Sequence, residues 1–314
     1  MSKFSNNELA DGKFTSWYAI PVLVILVLVG LFVGQGIGVV FTILTSHISL
    51  SQIPYLVSAP FTDEKRVPIY LLQGLGTLVG FVIIGLVYVR YLEQVRPARL
   101  YRFTGDPAII MISALMVVSF MFANSFLIDW NSNIHFPGDL HGFESWARAK
   151  EDELKVVTDF LTQFKGTGDF LLGFVVIVLI PAFGEELLFR GIIQNKLENI
   201  FKNGHVAIWL AAFLFSAFHF QFFGFVPRMM LGVLFGYMYY WSRSLWYPVM
   251  AHFLNNGITL VMIYLYDLKV VNVNIQEDQS YSWYTTLIFA FIGFVLLFYF
   301  RQYFIQKQQV AANE

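Results

Sequence analysis

The strongest constraint on this chain is its set of long apolar runs, separated by short charged stretches. The first, Tyr18 to Leu44, carries no charge over about 27 residues, roughly 40 Å of helix. That exceeds the ~30 Å of hydrocarbon a span must cross. Seven more follow: Pro68 to Val89, Pro107 to Ile128, Asp169 through Pro181 to a charged stretch near Glu185, His205 to Phe222, Pro227 to Trp241, Leu245 to Tyr266, and Ser282 to Phe300. Runs of this kind mark transmembrane helices. The expected fold is all-α, a polytopic bundle of about eight spans with a site inside the bundle. It forms a single integral membrane domain. Residues 1–128 hold three spans, 129–168 an extramembrane loop, 169–266 a core, and 267–314 the last span and tail. The sixth run is short, so seven spans remain possible if it is re-entrant.

Composition removes several function classes. The chain is 57% hydrophobic and 13% charged, about half the charge of a soluble domain. The net charge of −1 gives no case for nucleic acid. The absence of cysteine excludes disulfides, thiolate nucleophiles and Cys-ligated zinc.

Lys and Arg set the expected orientation. Arg90, Arg96, Arg99 and Arg102 crowd the loop between the second and third runs, a basic stretch suited to anionic lipid. With both termini cytoplasmic, Lys3, Lys13, Arg190, Lys196, Lys202, Arg243, Arg301 and Lys307 join them inside. Arg228 falls outside on this count, with Lys65, Arg66 and Lys269. The 129–168 loop places Leu154, Val157, Phe160, Leu161 and Phe164 at helical spacing, which predicts an amphipathic helix on the interface or capping the bundle.

Ionisable groups within apolar helices are costly and mark function by default. Here they cluster: Glu185, Glu186 and Arg190 in the fourth run, His219 in the fifth, His252 with Asn256 in the seventh. Glu186 and Arg190 are i,i+4, the spacing of an ion pair. Glu185 is rotated about 100° away and has no local partner, which suits a general base. Phe215 and His219 are i,i+4, so the ring can support the imidazole. His252 and Asn256 share one face and can present an imidazole and an amide to an oxyanion. His47, His135, His141 and His205 lie in loops or at span ends.

These residues form three motifs in order: Glu185-Glu186-Leu187-Leu188-Phe189-Arg190 as EExxxR, Phe215-Ser216-Ala217-Phe218-His219 as FxxxH, and His252-Phe253-Leu254-Asn255-Asn256 as HxxxN. Together they resemble the CPBP family of type II CAAX prenyl endoproteases and bacteriocin-processing, abortive-infection-like proteins. The resemblance covers about residues 168–266. It implies an intramembrane endopeptidase in which Glu185 and His219 activate water and His252 and Asn256 hold the oxyanion. Glu186 and Arg190 would orient the site. The implied partner is a membrane-associated peptide or protein, possibly lipidated, cut near its C-terminus or leader. No cofactor is favoured. The alternative is one divalent metal such as zinc on Glu185, His219 and His252, but HExxH is lacking and Asn256 is a poor zinc ligand.

Competing assignments are an immunity or scaffold protein on the same fold and a transporter using the buried charges as a relay. Gly166-Thr167-Gly168-Asp169 and Tyr266-Asp267 match the GxGD and YD pair of aspartyl intramembrane proteases, but in reversed order and at span ends. Asp169 is better explained as a helix cap. Ser216 lacks the glycines of a serine-type site.

Overall fold

The computed structural model describes residues 17–46, 48–103, 105–274 and 281–313. His47, Lys3 and Lys13 lie outside them. The described chain is helical, without strands, and follows the apolar runs. The nine main helices are α1 (Ala19–Ser46), α2 (Asp63–Leu92), α3 (Pro107–Ser132), α4 (His141–Thr162), α5 (Thr167–Phe201), α6 (Gly204–Ala217), α7 (Phe225–Ser242), α8 (Trp246–Asp267) and α9 (Trp283–Asn313).

Local chemistry sets the boundaries. Asp106 caps α3, accepting from the Ala108 N–H ahead of Pro107 at the first helical position. Asn203 caps α6 through the N–H groups of His205 and Val206. Lys202 and Arg243 end α5 and α7 at φ 53° and 52°.

Among the described residues, six helices are long and apolar enough to cross a membrane: α1, α2, α3, α5, α8 and α9. The other two expected spans, α6 and α7, make a shorter hairpin. At 14 residues, α6 is only about 21 Å long. Six spans or eight are both even, so the expectation that both ends share a side is unaffected. The fourth run does not stop near Glu185. It continues as helix to Phe201, which puts Glu185 midway along α5.

The predicted amphipathic helix is present as α4 and begins earlier than its apolar pattern, at His141. Arg66 of α2 donates to Phe160 O and the Tyr70 hydroxyl donates to Leu161 O, tying down the end of α4. Glu151 accepts the Phe223 N–H at 3.0 Å, and Phe143 and Trp146 pack on Phe222. Thus α4 covers the α6–α7 turn.

In lipid, helices associate through close packing and polar contacts, because the hydrophobic effect no longer drives them together. Gly232 and Gly236 on α7 supply the close approach. A Cβ on Gly236 would meet Ile208 Cγ2 at 2.8 Å, and one on Gly232 would meet Ala212 Cβ at 3.1 Å. The exposed backbone then accepts from α5: Arg190 Nη2 donates to Gly232 O and Gln194 Nε2 to Gly236 O, both at 3.1 Å.

Candidate active site

The motif residues converge at the centre of the bundle, on a cavity of about 640 Å³ lined by α2, α3, α5, α6, α7 and α8. Glu186 is fully buried and its Oε1 is the hub. It accepts from Arg190 Nη1 at 2.7 Å and lies 2.8 Å from His252 Nδ1. Arg190 also lies over the Phe215 ring at 4.5 Å. This ion pair matches the i,i+4 expectation. Its contact with His252, 66 residues away, was invisible to spacing.

Two ring orientations follow from the partners. His219 Nδ1 lies 2.8 Å from Phe215 O, which can only accept, so Nδ1 carries the proton. His252 Nδ1 likewise donates to the arginine-paired Glu186. Both rings therefore turn Nε2 to Glu185, each 4.0 Å from its Oε2. In the neutral rings these nitrogens are lone pairs. Phe215 packs edge-on against His219 with centroids 5.1 Å apart, and Phe235 stacks on His252 at 5.4 Å. Glu185 itself stays 13% exposed, open to the cavity.

A 4.0 Å gap suits a water molecule lying about 2.8 Å from each atom. A tetrahedral metal would instead draw ligand atoms to roughly 3.4 Å from one another. The donor chemistry fits a divalent ion, since both rings have their second nitrogen anchored. Among the described residues, however, no three such side chains are arranged to hold one.

Asn256 pairs with a carbonyl that a proline cannot serve. Pro181 has no N–H, so it cannot serve the carbonyl four residues back. That carbonyl, Ile177 O, accepts from Asn256 Nδ2 at 3.3 Å across the helix interface. Asn255 Nδ2 donates to Asn256 Oδ1 at 3.1 Å and fixes the amide's orientation. One N–H of Asn256 remains for the cavity.

The other candidates fall elsewhere. Asp169 lies in the first turn of α5, whose N-cap is Gly166 instead, and it accepts from the Lys165 N–H at 3.3 Å and lies 3.8 Å from Arg66. Asp267 ends α8, and Ser216 Oγ donates to Phe225 O. Sequence reasoning missed Gln73 and Thr77 of α2, Asn124 of α3, and Asn255, Thr259 and Arg228, all of which line the cavity. Arg228 is a correction, since it was expected in an outer loop. The available signal was a cation in the first turn of an apolar helix, where the dipole disfavours it.

Comparison with known proteins bears on this same region. Residues 167–258 match the family described as Type II CAAX prenyl endopeptidase Rce1-like. All three motifs fall inside that segment, so the resemblance stated from them holds there. A Bacillus subtilis (strain 168) protein, "Uncharacterized protein YpbD", is 32% identical over 88 residues. That alignment covers 27% of this chain and 42% of the relative, so the chain spans about two fifths of the length of the curated relative it matches. No solved structure matches.

Proposed function

We propose that this protein is an intramembrane endopeptidase that hydrolyses a peptide bond of a membrane-associated peptide or protein. The observation that carries this is the meeting of His219 Nε2 and His252 Nε2 at 4.0 Å from Glu185 Oε2, inside a cavity. A proton relay needs no such triple focus. A scaffold gains nothing from two rings whose lone pairs face a carboxylate.

A water held by Glu185 and His219 gives its proton to Glu185 while its oxygen bonds to the scissile carbonyl carbon. The carbonyl electrons move to oxygen, and the free N–H of Asn256 donates to it. His252 enters the step already protonated at Nε2 by cavity water, with Glu185 and Glu186 on either side of the charge, donates to the same oxygen and keeps that proton throughout. On collapse the C–N bond breaks and the leaving amine takes the proton from Glu185. The favoured form of this mechanism needs no metal.

The test compares membrane-protein and secreted-peptide termini in the native host, with wild-type chain or Glu185→Ala at equal membrane levels. New termini that vanish with Glu185→Ala support the protease and identify its substrate. Identical termini with the same host dependence on either chain would transfer the assignment to an immunity or scaffold role. A chelator added to the purified enzyme with that substrate should leave the rate unchanged. Loss restored by zinc would favour the metal form on Glu185, His219 and His252.

A further inference from the structure

Two arginines of the cavity region stand in opposite states. Arg190 is saturated by Glu186, Gly232 O and the Phe215 face. Arg228, in the first turn of α7, lines the cavity with a neutral partner. Its Nη2 donates to Gln221 Oε1, and its buried Nη1 has no hydrogen-bond partner among the described residues. The carboxylates in its field are Glu185 and Glu151. Glu185 is turned to the two histidines, and Glu151 accepts from the Phe223 N–H.

A buried cationic donor without an acceptor is costly until something meets it. The guanidinium fork matches one group best, a carboxylate bound by two parallel N–H···O bonds. We propose that Arg228 is the carboxylate receptor of the cavity. An incoming carboxylate supplies the acceptor Nη1 lacks and displaces Gln221 from Nη2. This rests on the protease reading and makes Arg228 a specificity-determining residue, which holds the substrate by an anionic group while Glu185 works further along it. The carboxylate has two possible sources: the free C-terminus of the peptide, or an Asp or Glu side chain beside the scissile bond.

The experiment uses the full chain in phosphatidylcholine nanodiscs. The probes are palmitoylated hexapeptides with randomised last three positions, excluding Asp and Glu. Each is made as a free acid, as a carboxamide, and as a carboxamide carrying one Glu. Affinity is read from the ligand-dependent shift in thermal unfolding. Wild type should bind a carboxylate form about tenfold or more tightly than the neutral carboxamide. Arg228→Gln should lose that preference while keeping its affinity for the carboxamide. Gln221→Ala should keep the preference. Stronger binding of the free acid identifies the chain end, and stronger binding of the Glu form identifies a side chain.

If wild type binds charged and neutral forms alike, or binds neither, the proposal is overturned. It is also overturned if Arg228→Gln keeps the preference. Should Arg228→Gln fail to fold, Arg228→Lys decides: a reduced preference supports the receptor, and an unchanged one removes it. Cleavage is scored in the same mixtures by mass spectrometry. Carboxylate preference without cleavage leaves the anion site and counts against the protease. Cleavage without preference does the reverse.

Discussion

His252 Nδ1–H donates a hydrogen bond to Glu186 at 2.8 Å, on the same oxygen that accepts from Arg190. That shared oxygen makes the ion pair part of the site. It sets which nitrogen of His252 faces Glu185, and it couples ring orientation to the charge balance of the core.

Removing the hub should therefore affect fold and activity together. Glu186→Ala leaves Arg190 without its counter-ion, a loss of about 3–5 kcal/mol for a broken buried pair. Glu186→Gln keeps an acceptor and should cost less, yet still slow the proposed cleavage by letting His252 rotate. Thermal unfolding in detergent and turnover of the substrate found by terminus mapping check both. Equal stability of Glu186→Ala and wild type would refute the account.

Reach distinguishes a base from a solvated charge. Glu185→Asp keeps the charge and withdraws it from His219 and His252, so turnover should fall about 10²-fold or more with unfolding unchanged. A proton pathway would tolerate the shortening. Retention of most activity would argue against the proposed role.

Pro181 and Asn256 should be energetically coupled through Ile177 O, which Asn256 serves and the N–H-less Pro181 cannot. Asn256→Ala alone should cost about 1 kcal/mol, within the range of membrane hydrogen bonds. With Pro181→Ala, the restored N–H can take that carbonyl and the cost should shrink by about 0.5 kcal/mol or more. A double-mutant cycle measures this directly, and strict additivity would show that the two do not share the carbonyl.

Outside the spans, Glu144 anchors the segment before α4. It accepts from the Phe136 N–H at 2.9 Å, with His135 and Arg148 on its other oxygen. The Phe136 bond, then the His135 contact, leads in lowering its pKa to about 2 from an ordinary 4.5. The folded-state value is depressed, so the stabilisation is fully present above about pH 4.5 and is lost as pH falls toward 2. Protection factors of residues 133–148, taken against the intrinsic exchange rate at each pH, should fall over that window in wild type. Glu144→Gln should show low protection throughout the window.

Packing gives a last test. Gly236→Ala places a Cβ 2.8 Å from Ile208 Cγ2, so α6 and α7 must separate. Gln194 then moves away from Gly236 O, and stability should fall by about 1–3 kcal/mol, the usual cost of overpacking. An unchanged unfolding temperature would show that the interface has slack.

The parts legible in the sequence were those governed by short-range periodicity. Hydropathy located the apolar helices α1 to α3 and α5 to α9. The spacing of Glu186 and Arg190 gave their ion pair, and that of Phe215 and His219 their ring contact, because residues four apart on a helix are neighbours. The pattern of Leu154, Val157 and Phe160 found α4, although not its start at His141, where the face is mixed. Of the eight expected spans, six are long and apolar enough to cross, and hydropathy alone does not show that α6 is only 14 residues long.

Sequence by itself thus determined the all-helical membrane architecture and the identity of the polar groups within it, since both follow from local periodicity and the cost of burying charge. Only the tertiary structure decided which nitrogen of each histidine faces Glu185, why Asn256 turns to Ile177, and that Arg228 enters the cavity with an unused donor. His219 is turned by Phe215 O four residues back and Arg228 is held by Gln221 seven residues back, but His252 meets Glu186 66 positions away and Asn256 meets Ile177 79 positions away, each on another helix. Such contacts are fixed by how rigid helices cross, which no local spacing records.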